Sequence, residues 1–154
     1  MKDKTLLLSE IRYAIRLSQR TARFYRRIQS VGTFLSIIGG SAAIASIADN
    51  LPHWIPLFGG VLLAFAGAIL IAVRPADKAA QNEADQKRYQ QLMTRAVSME
   101  SKELEQALEE AHVGDAPEIE SLRDVAYNDD VLELNREDCL IPLTLKQRLL
   151  REFA

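Results

Sequence analysis

VGTFLSIIGGSAAIASIA, residues 31–48, is followed after five residues by WIPLFGGVLLAFAGAILIAV, residues 54–73. Neither stretch contains Asp, Glu, Lys or Arg. A helix rises about 1.5 Å per residue, so about 20 apolar residues cross a hydrocarbon core that is about 30 Å thick. Both stretches are long enough for this, and the short connection between them predicts a transmembrane hairpin.

The distribution of Lys and Arg predicts the orientation of the hairpin. Residues 1–30 carry eight cations and two anions, and Arg74 and Lys78 follow the second stretch, whereas the connection at residues 49–53 holds one charged residue, Asp49. Positive residues beside membrane-spanning helices stay on the cytoplasmic side. We therefore expect a multi-pass protein of the plasma membrane with both termini in the cytoplasm. The alternative for the first stretch, a cleaved signal peptide, has a much shorter polar leader.

The chain is predicted to be an all-α membrane protein with three regions. Residues 1–30 form a basic amphipathic cytoplasmic helix, residues 31–73 form the two-helix transmembrane hairpin, and residues 74–154 form a cytoplasmic helical stalk and bundle. No Gly or Pro interrupts residues 5–29. The first helix is therefore expected to continue into the first apolar stretch.

Two stripes of residues run along the basic N-terminal helix. The apolar stripe, which includes Ile11, Ala14 and Ala22, predicts packing on another helix or on the bilayer surface. The arginine stripe can meet lipid phosphates or an acidic partner, or it can be a solvated face that only sets the topology. The cations predicted to lie at the membrane surface are Arg12, Arg16, Arg20, Arg23, Arg27 and Arg74.

Small residues recur every four positions in both apolar stretches. They predict close helix packing, because helices in lipid associate through tight contacts rather than through the hydrophobic effect. Such contacts can lie within one hairpin or between chains, and we expect both, so that the protein forms a homo-oligomer. Two helices cannot enclose a lumen, and a pore therefore requires that oligomer. The predicted packing and pore residues are Gly32, Ser36, Gly40, Gly60, Ala64, Ala68 and Ala72.

The region after the second stretch is predicted to begin with one long polar helix over residues 76–112. Its apolar stripe is thin and is interrupted near Met99. Pro75 is expected either to kink the junction or to start this helix, and it is the predicted hinge.

Two capping signals predict short helices near the C-terminus. Asp115 and Glu118 have the spacing of a capping box. Thr144 and Gln147 have the same spacing in front of an apolar pattern. We therefore expect one helix to begin at each of these two signals.

No arrangement of residues typical of an enzyme is found in the sequence. It contains no Gly-rich phosphate loop, Cys139 is its single cysteine, and the predicted topology puts His53 and His112 on opposite sides of the membrane. We expect no catalytic activity, no cofactor and no metal. Residues 101–154 carry six cations and fourteen anions, which argues against a nucleic-acid partner. A surface for a partner or a trigger is predicted at Asp129, Asp130 and Glu133.

Several short motifs follow one another along the chain. RTARFYRR at residues 20–27 precedes the first apolar stretch, and RPA at residues 74–76 and KAA at residues 78–80 follow the second. KRY at residues 87–89 and AYN at residues 126–128 come later. This arrangement covers nearly the whole chain and resembles the SLATT family of bacterial two-transmembrane effectors.

The resemblance implies an effector of anti-phage defence that acts by abortive infection. Such a protein assembles and forms pores that disrupt or permeabilise the bacterial inner membrane when a cytoplasmic signal triggers it. The resemblance implies a separate sensor protein or a signalling nucleotide as the trigger. Two alternatives remain from the sequence: a non-conducting membrane anchor or scaffold, and an accessory subunit that recruits a cytoplasmic partner.

Overall fold

All regular structure in the described part of the chain is helical. The computed structural model describes residues 2–48, 52 and 54–154, and the predicted all-α class is confirmed there. The helices, in order, are α1 (Lys4–Ala48), α2 (Trp54–Val73), α3 (Pro75–Ala96), α4 (Ser101–Val113), α5 (Arg123–Glu133) and α6 (Leu145–Phe153). Two 3-10 turns, Glu120–Leu122 and Glu137–Cys139, flank α5. The predicted tight connection, apart from Pro52, lies outside the described residues.

The chain divides into two compact units. Residues 25–77 form one, here called the apolar unit, and residues 1–24 with residues 78–154 form the other, here called the polar unit. Helix α1 contributes to both, because it runs unbroken from Lys4 to Ala48, as expected from the absence of early Gly and Pro. The first residues of the chain therefore fold with the C-terminal helices.

Helices α1, α3 and α4 enclose the larger core of the polar unit. Its apolar side chains come from one face of each helix, and burying a Leu or Ile side chain contributes about 1.5–3 kcal/mol relative to leaving it exposed. The buried members are Leu7, Ile11, Ala14, Tyr89, Leu92, Ala96, Leu104, Leu108 and Ala111. The predicted apolar stripe of α1 is thus a packing face.

The single helix expected over residues 76–112 is wrong. Helix α3 ends at Ala96 and α4 begins at Ser101, at the place where the apolar stripe weakens. The turn between them is held by the amide of Ser98, which donates to the Arg95 carbonyl (3.1 Å), and by the Lys4 ammonium, which donates to the Met99 carbonyl (2.8 Å). The chain folds back at this turn, and apolar side chains of α4 are thereby buried. In an extended stalk the same side chains would face water.

A second core joins α1 to α5 and α6. It contains Leu17, Leu122, Val125, Ala126 and Ala154. The rings of Phe24 and Phe153 meet edge to face, with their centroids 5.7 Å apart. This arrangement is a favourable geometry for aromatic pairs. The C-terminal residues are therefore anchored to the first helix.

The helix expected to start at Asp115 is wrong, because α5 begins only at Arg123. The Asp115 carboxylate accepts hydrogen bonds from Arg88 (2.6 Å) and from the Tyr89 hydroxyl (2.5 Å). These longer-range partners take the oxygens that a helix cap would use. Glu118 pairs with Arg123 (3.1 Å) instead of closing a capping box.

The second capping signal is confirmed, because Thr144 is the N-cap of α6. The amide of Gln147 donates to the Thr144 hydroxyl (3.3 Å), and the amide of Thr144 donates to the Gln147 side-chain oxygen (2.9 Å). The Gln147 side chain also donates to Asp124 (2.6 Å). The capping box therefore ties the start of α6 to α5.

Pro75 starts a new helix, which is one of the two outcomes expected for it. It is the first residue of α3, where its missing N–H removes no helical hydrogen bond. The residue before it, Arg74, has φ 50° and so adopts the left-handed conformation that ends α2. The Arg74 guanidinium pairs with Asp77 (2.5 Å) across the first turn of α3.

Candidate functional site

Gly39 of α1 lies against the backbone of α2 at Gly59 and Leu63. A Cβ atom placed on Gly39 is 2.5 Å from the Gly59 carbonyl oxygen and 2.8 Å from the amide nitrogen of Leu63. Real Cβ atoms essentially never come so close to backbone atoms. The backbones of α1 and α2 can therefore meet here because α1 carries no side chain at Gly39.

Gly32 makes a second contact in the same unit. A Cβ atom on Gly32 is 2.7 Å from Cδ2 of Leu70. One turn later, the Ser36 hydroxyl donates to the Gly32 carbonyl (2.9 Å), so that its hydrogen-bonding capacity is used within its own helix. Gly32 and Ser36, both predicted packing residues, therefore lie on or beside the face that meets α2.

The other predicted packing residues lie away from this contact. Nothing lies within 4 Å of a Cβ atom placed on Gly40 or Gly60, and Ala64, Ala68 and Ala72 are exposed. The pairing of α1 with α2 uses the neighbouring glycines because there the two backbones can touch. A role for Gly40, Gly60 and the three alanines in contacts between chains stays a prediction.

Large apolar side chains cover the exposed faces of the apolar unit. Their exposed fractions run from 39% for Leu63 to 80% for Ile71. One stretch of the described residues, within Trp54–Ala96, is long and apolar enough to cross a membrane, and 11% of its apolar window is buried. The other side chains with an exposed fraction of 60% or more are Phe34, Ile37, Ile44, Trp54, Leu57, Phe58, Val61 and Phe65. Exposed apolar surfaces of this kind are typical of sites that contact a membrane or another protein.

In the polar unit, the predicted cationic residues meet the predicted acidic surface. Arg20 binds Asp129 at two points, with Nε 2.7 Å from Oδ2 and Nη2 3.0 Å from Oδ1. Arg16 pairs with Glu133, and Arg12 Nε lies 3.5 Å from Asp130 Oδ1. These six residues are here called the arginine–acid clasp. The clasp holds α1 against α5. These three arginines therefore pair with acidic residues of their own chain.

Asp130 is the most buried carboxylate of the clasp, with 7% of the residue exposed. Burial raises the pKa of Asp130 above its ordinary value; nearby Arg12 opposes this and nearby Glu133 adds to it. Its Oδ1 atom and the Nε atom of Arg12 are both buried without a hydrogen-bond partner. The pair is therefore close enough to interact but is incompletely satisfied.

The remaining predicted cations have other surroundings. Arg23 and Arg27 are exposed on α1. Arg74 is exposed and pairs with Asp77. A place for these three at a membrane surface stays a prediction.

Sequence reasoning missed a polar network that joins α3 to the turn after α4. Buried Asp85 accepts from Arg88 (3.0 Å) and from the amide of Ala116 (2.8 Å), and Arg88 also binds Asp115 (2.6 Å). Tyr89 donates to Asp115, and burial raises its pKa well above the ordinary value, with the Asp115 carboxylate adding to the effect. Asp and Arg three positions apart were the available signal, but the same spacing occurs on solvated helices.

A second missed residue is Asn128 of α5. Its side-chain nitrogen donates to the Ile141 carbonyl (2.8 Å), and its oxygen accepts from the Ile141 amide (2.9 Å). This reciprocal pair holds the segment before α6 against α5. Nothing local in the sequence distinguishes Asn128 from an exposed polar residue.

Among residues 2–48, 52 and 54–154, no group of three or more His, Cys, Asp or Glu side chains is placed to hold a metal ion. Comparison with protein-family models, with curated proteins and with solved structures finds no match.

Proposed function

We propose that this chain is a membrane protein whose two apolar helices, residues 31–48 and 54–73, cross the inner membrane as a hairpin with both termini in the cytoplasm. The observation that carries the proposal is the large exposed apolar surface of α1 and α2, exemplified by Phe34, Phe65 and Ile71. The core helix of a soluble protein is mostly buried, whereas these faces are not. The Lys and Arg distribution supports the orientation.

We propose further that the protein is a non-enzymatic effector that self-associates and permeabilises the membrane when triggered, in bacterial anti-phage defence. The resemblance to SLATT effectors supports the activity. The row of small residues on α2, in which Ala64, Ala68 and Ala72 are exposed and Gly60 is partly exposed, supports self-association, because small residues allow a second helix to approach closely. A cytoplasmic sensor protein or a signalling nucleotide is the proposed trigger.

Triggering requires two arrangements of the oligomer whose populations the signal changes. Moving the equilibrium from 1:99 to 99:1 takes about 5.5 kcal/mol of differential binding. We propose that the signal acts on the polar unit and that the junction at Pro75 is the hinge. The clasp joins helices of that unit, and a partner able to separate them would supply such a difference.

The second candidate function is a non-conducting anchor or scaffold that recruits a cytoplasmic partner. One observation favours it: α6 leaves Leu145 and Leu149 largely exposed, at 78% and 74%. Exposed leucines on a short helix are suited to a client protein. The scaffold would need no change in the apolar unit.

Membrane potential during induced expression separates the two functions. The effector depolarises cells and releases a trapped dye from liposomes, whereas the scaffold does neither and co-purifies with its client. Ala64→Leu places a bulky side chain on the exposed small-residue row and should abolish oligomer formation and leakage. Ile71→Leu, a volume-conserving change on the same helix, is the matched control. Unchanged oligomer size and leakage in Ala64→Leu would contradict the effector proposal.

The orientation has its own test. A tag at either terminus should resist an impermeant reagent added to intact cells and should react after the cells are opened. Labelling of intact cells, or a protein that stays in solution without detergent, would contradict the proposed hairpin.

A further inference from the structure

Helix α6 presents a largely uncovered apolar face. Leu145 and Leu149 are four positions apart and therefore share one face of α6, where 78% and 74% of the two residues are exposed. Another face is packed, because Leu150 contacts the second core and the Phe153 ring meets Phe24. Helix α6 is thus held to the polar unit by one face while the two leucines remain open.

Cations flank the two leucines on both sides. Because each residue turns a helix by about 100°, Lys146 and Arg148 lie on opposite sides of the leucine face. Both are exposed, and within the described part of the chain neither has an ion pair or a side-chain hydrogen bond. Arg151, farther round the helix, pairs with Glu152 (3.5 Å). Two positive charges beside the leucines are therefore open to a negatively charged partner.

The charge of this segment is opposite to that of the region before it. Residues 144–154 carry three cations and one anion, whereas residues 101–143 carry three cations and thirteen anions. A short basic helix with leucines on one face is typical of segments that lie on an anionic membrane surface. The local reversal of charge therefore favours lipid as the partner of this face.

A groove of about 390 Å³ beside α6 has the same combination of apolar and basic residues. Arginine is well suited to bind phosphate oxygens, and apolar walls fit a hydrocarbon chain. The groove shares Arg148 with the border of the leucine face. Its lining includes Arg148, Arg151, Leu132, Leu140, Ile141 and Leu143.

Helix α1 links this surface to the proposed membrane span over a short distance. Phe24, which contacts Phe153, precedes Val31, the first residue of the first apolar stretch, by seven positions. Helix α1 is unbroken there, so seven residues correspond to about 10 Å of helix. Lipid headgroups extend about 5–8 Å beyond the hydrocarbon core on each side. The end of α6 is therefore attached to α1 close to the level of the headgroups.

We propose that α6 docks on the anionic inner leaflet of the membrane, with Leu145 and Leu149 inserted among the lipids and Lys146 and Arg148 at the lipid phosphates. The inference rests on the hairpin proposed above, which places α1 in the same leaflet. The unpaired cations beside the leucines favour lipid over the client protein of the scaffold function.

Quenching of a fluorescent dye by brominated lipids tests the docking. In full-length protein with Cys139→Ser, the dye is attached to Leu149→Cys, Phe65→Cys or Val97→Cys, and each protein is reconstituted into phosphatidylcholine vesicles with and without phosphatidylglycerol. Phe65→Cys, within the proposed span, should be quenched in both vesicles. Leu149→Cys should be quenched in the anionic vesicles alone. Val97→Cys, an 85% exposed position beside Lys4 near the start of α1, should be quenched in neither.

The three positions separate failure of the docking from failure of the hairpin. Quenching at Phe65→Cys without quenching at Leu149→Cys overturns the docking, retains the hairpin and leaves the leucines to a client protein. Equal quenching of Leu149→Cys in both vesicles, or equal quenching at Val97→Cys, overturns recognition of anionic lipid by α6. Absence of quenching at Phe65→Cys contradicts the hairpin, and the docking that rests on it.

A double substitution tests the flanking cations. Lys146→Gln with Arg148→Gln should lower the ratio of quenched to unquenched dye at Leu149→Cys by about tenfold or more, since each cation near an anionic surface strengthens binding by about fivefold. Arg95→Gln with Lys102→Gln makes the same change of charge at exposed positions of α3 and α4 and is the matched control. Equal quenching in the two double variants overturns the role of the α6 cations.

Discussion

Arg20 and Asp129 form a two-point ion pair between α1 and α5, with nitrogen-to-oxygen distances of 2.7 and 3.0 Å. The Arg20 Nη1 atom also donates to the carbonyl of Arg151 in α6 (3.0 Å). One guanidinium thus fastens three helices. Planar two-point pairs of this kind are stronger than single charged contacts.

Arg20→Gln should therefore destabilise the polar unit by about 1–3 kcal/mol, because it removes the bidentate pair and leaves Asp129 without it. Thermal unfolding followed by circular dichroism measures the loss. Arg23→Gln, an exposed arginine on the same helix, is the control and should stay within about 0.5 kcal/mol of the parent. Equal effects of the two substitutions would show that the clasp contributes no stability.

Gly39→Ala should disrupt the pairing of α1 with α2, because the new methyl group would collide with the backbone of Gly59 and Leu63. Overpacking of this kind costs about 1–3 kcal/mol. Gly40→Ala, one residue away and facing open space, should be neutral or slightly stabilising, since Ala favours a helix over Gly by about 1 kcal/mol. Unfolding of both variants in detergent measures the difference, and a Gly39→Ala protein as stable as Gly40→Ala would contradict the crossing.

The stability of the Asp130→Asn variant, compared with that of the parent protein, should be greater at neutral pH than at low pH. Burial raises the pKa of Asp130 in the folded state above its unfolded value, so the folded state holds its proton more tightly. This contribution to stability is present below the unfolded pKa and is lost as pH rises through the folded pKa. The Asp130→Asn variant lacks this pH-dependent contribution, because the Asn side chain does not titrate.

The stability of Asp130→Asn relative to the parent should accordingly increase from about pH 4, near the usual aspartate pKa, to pH 7. Midpoints of thermal unfolding across that interval provide the measurement. Glu137→Gln removes an exposed anion and serves as the control. A difference between Asp130→Asn and the parent that does not change with pH would exclude a raised Asp130 pKa.

Asn128→Ala should loosen the segment before α6, because it removes both hydrogen bonds to Ile141. Losing such a buried pair costs about 1–3 kcal/mol. Amide hydrogen exchange at residues 140–143 should become faster. Asn128→Asp keeps the acceptor but places a carboxylate oxygen against the Ile141 carbonyl in a buried position, so it should accelerate exchange at least as much as Asn128→Ala. Unchanged exchange in both variants would contradict the role of Asn128.

Short sequence patterns correctly predicted those helices whose bounds depend on residues close together in the sequence. The unbroken α1 follows from a long run without Gly or Pro, and the start of α6 follows from the spacing of Thr144 and Gln147. The expected cap at Asp115 failed because its carboxylate is taken by Arg88 and Tyr89. Whether a capping residue starts a helix depends on competition from residues that are distant in the sequence. The spacing of a capping box does not identify those residues.

The pairing of residues within the clasp could not be predicted from the sequence. Both of its halves were recognised as charged surfaces, but Arg20 and Asp129 are 109 positions apart, and charge alone does not pair them. The same holds for the helix crossing. Gly39 and Gly40 have the same side chain and adjacent positions, and only the direction of approach of α2 distinguishes them.

The polar unit is assembled from both ends of the chain, and this has a consequence for biosynthesis. Leu7, Ile11 and Leu17 are translated before residues 78–154, whose side chains complete the two cores around them. These side chains stay exposed to solvent until residues 25–77 and the helices that follow have been translated. Closure of the unit therefore requires synthesis of the C-terminal helices, and a product that ends before residue 78 would leave these leucines exposed to chaperones and proteases.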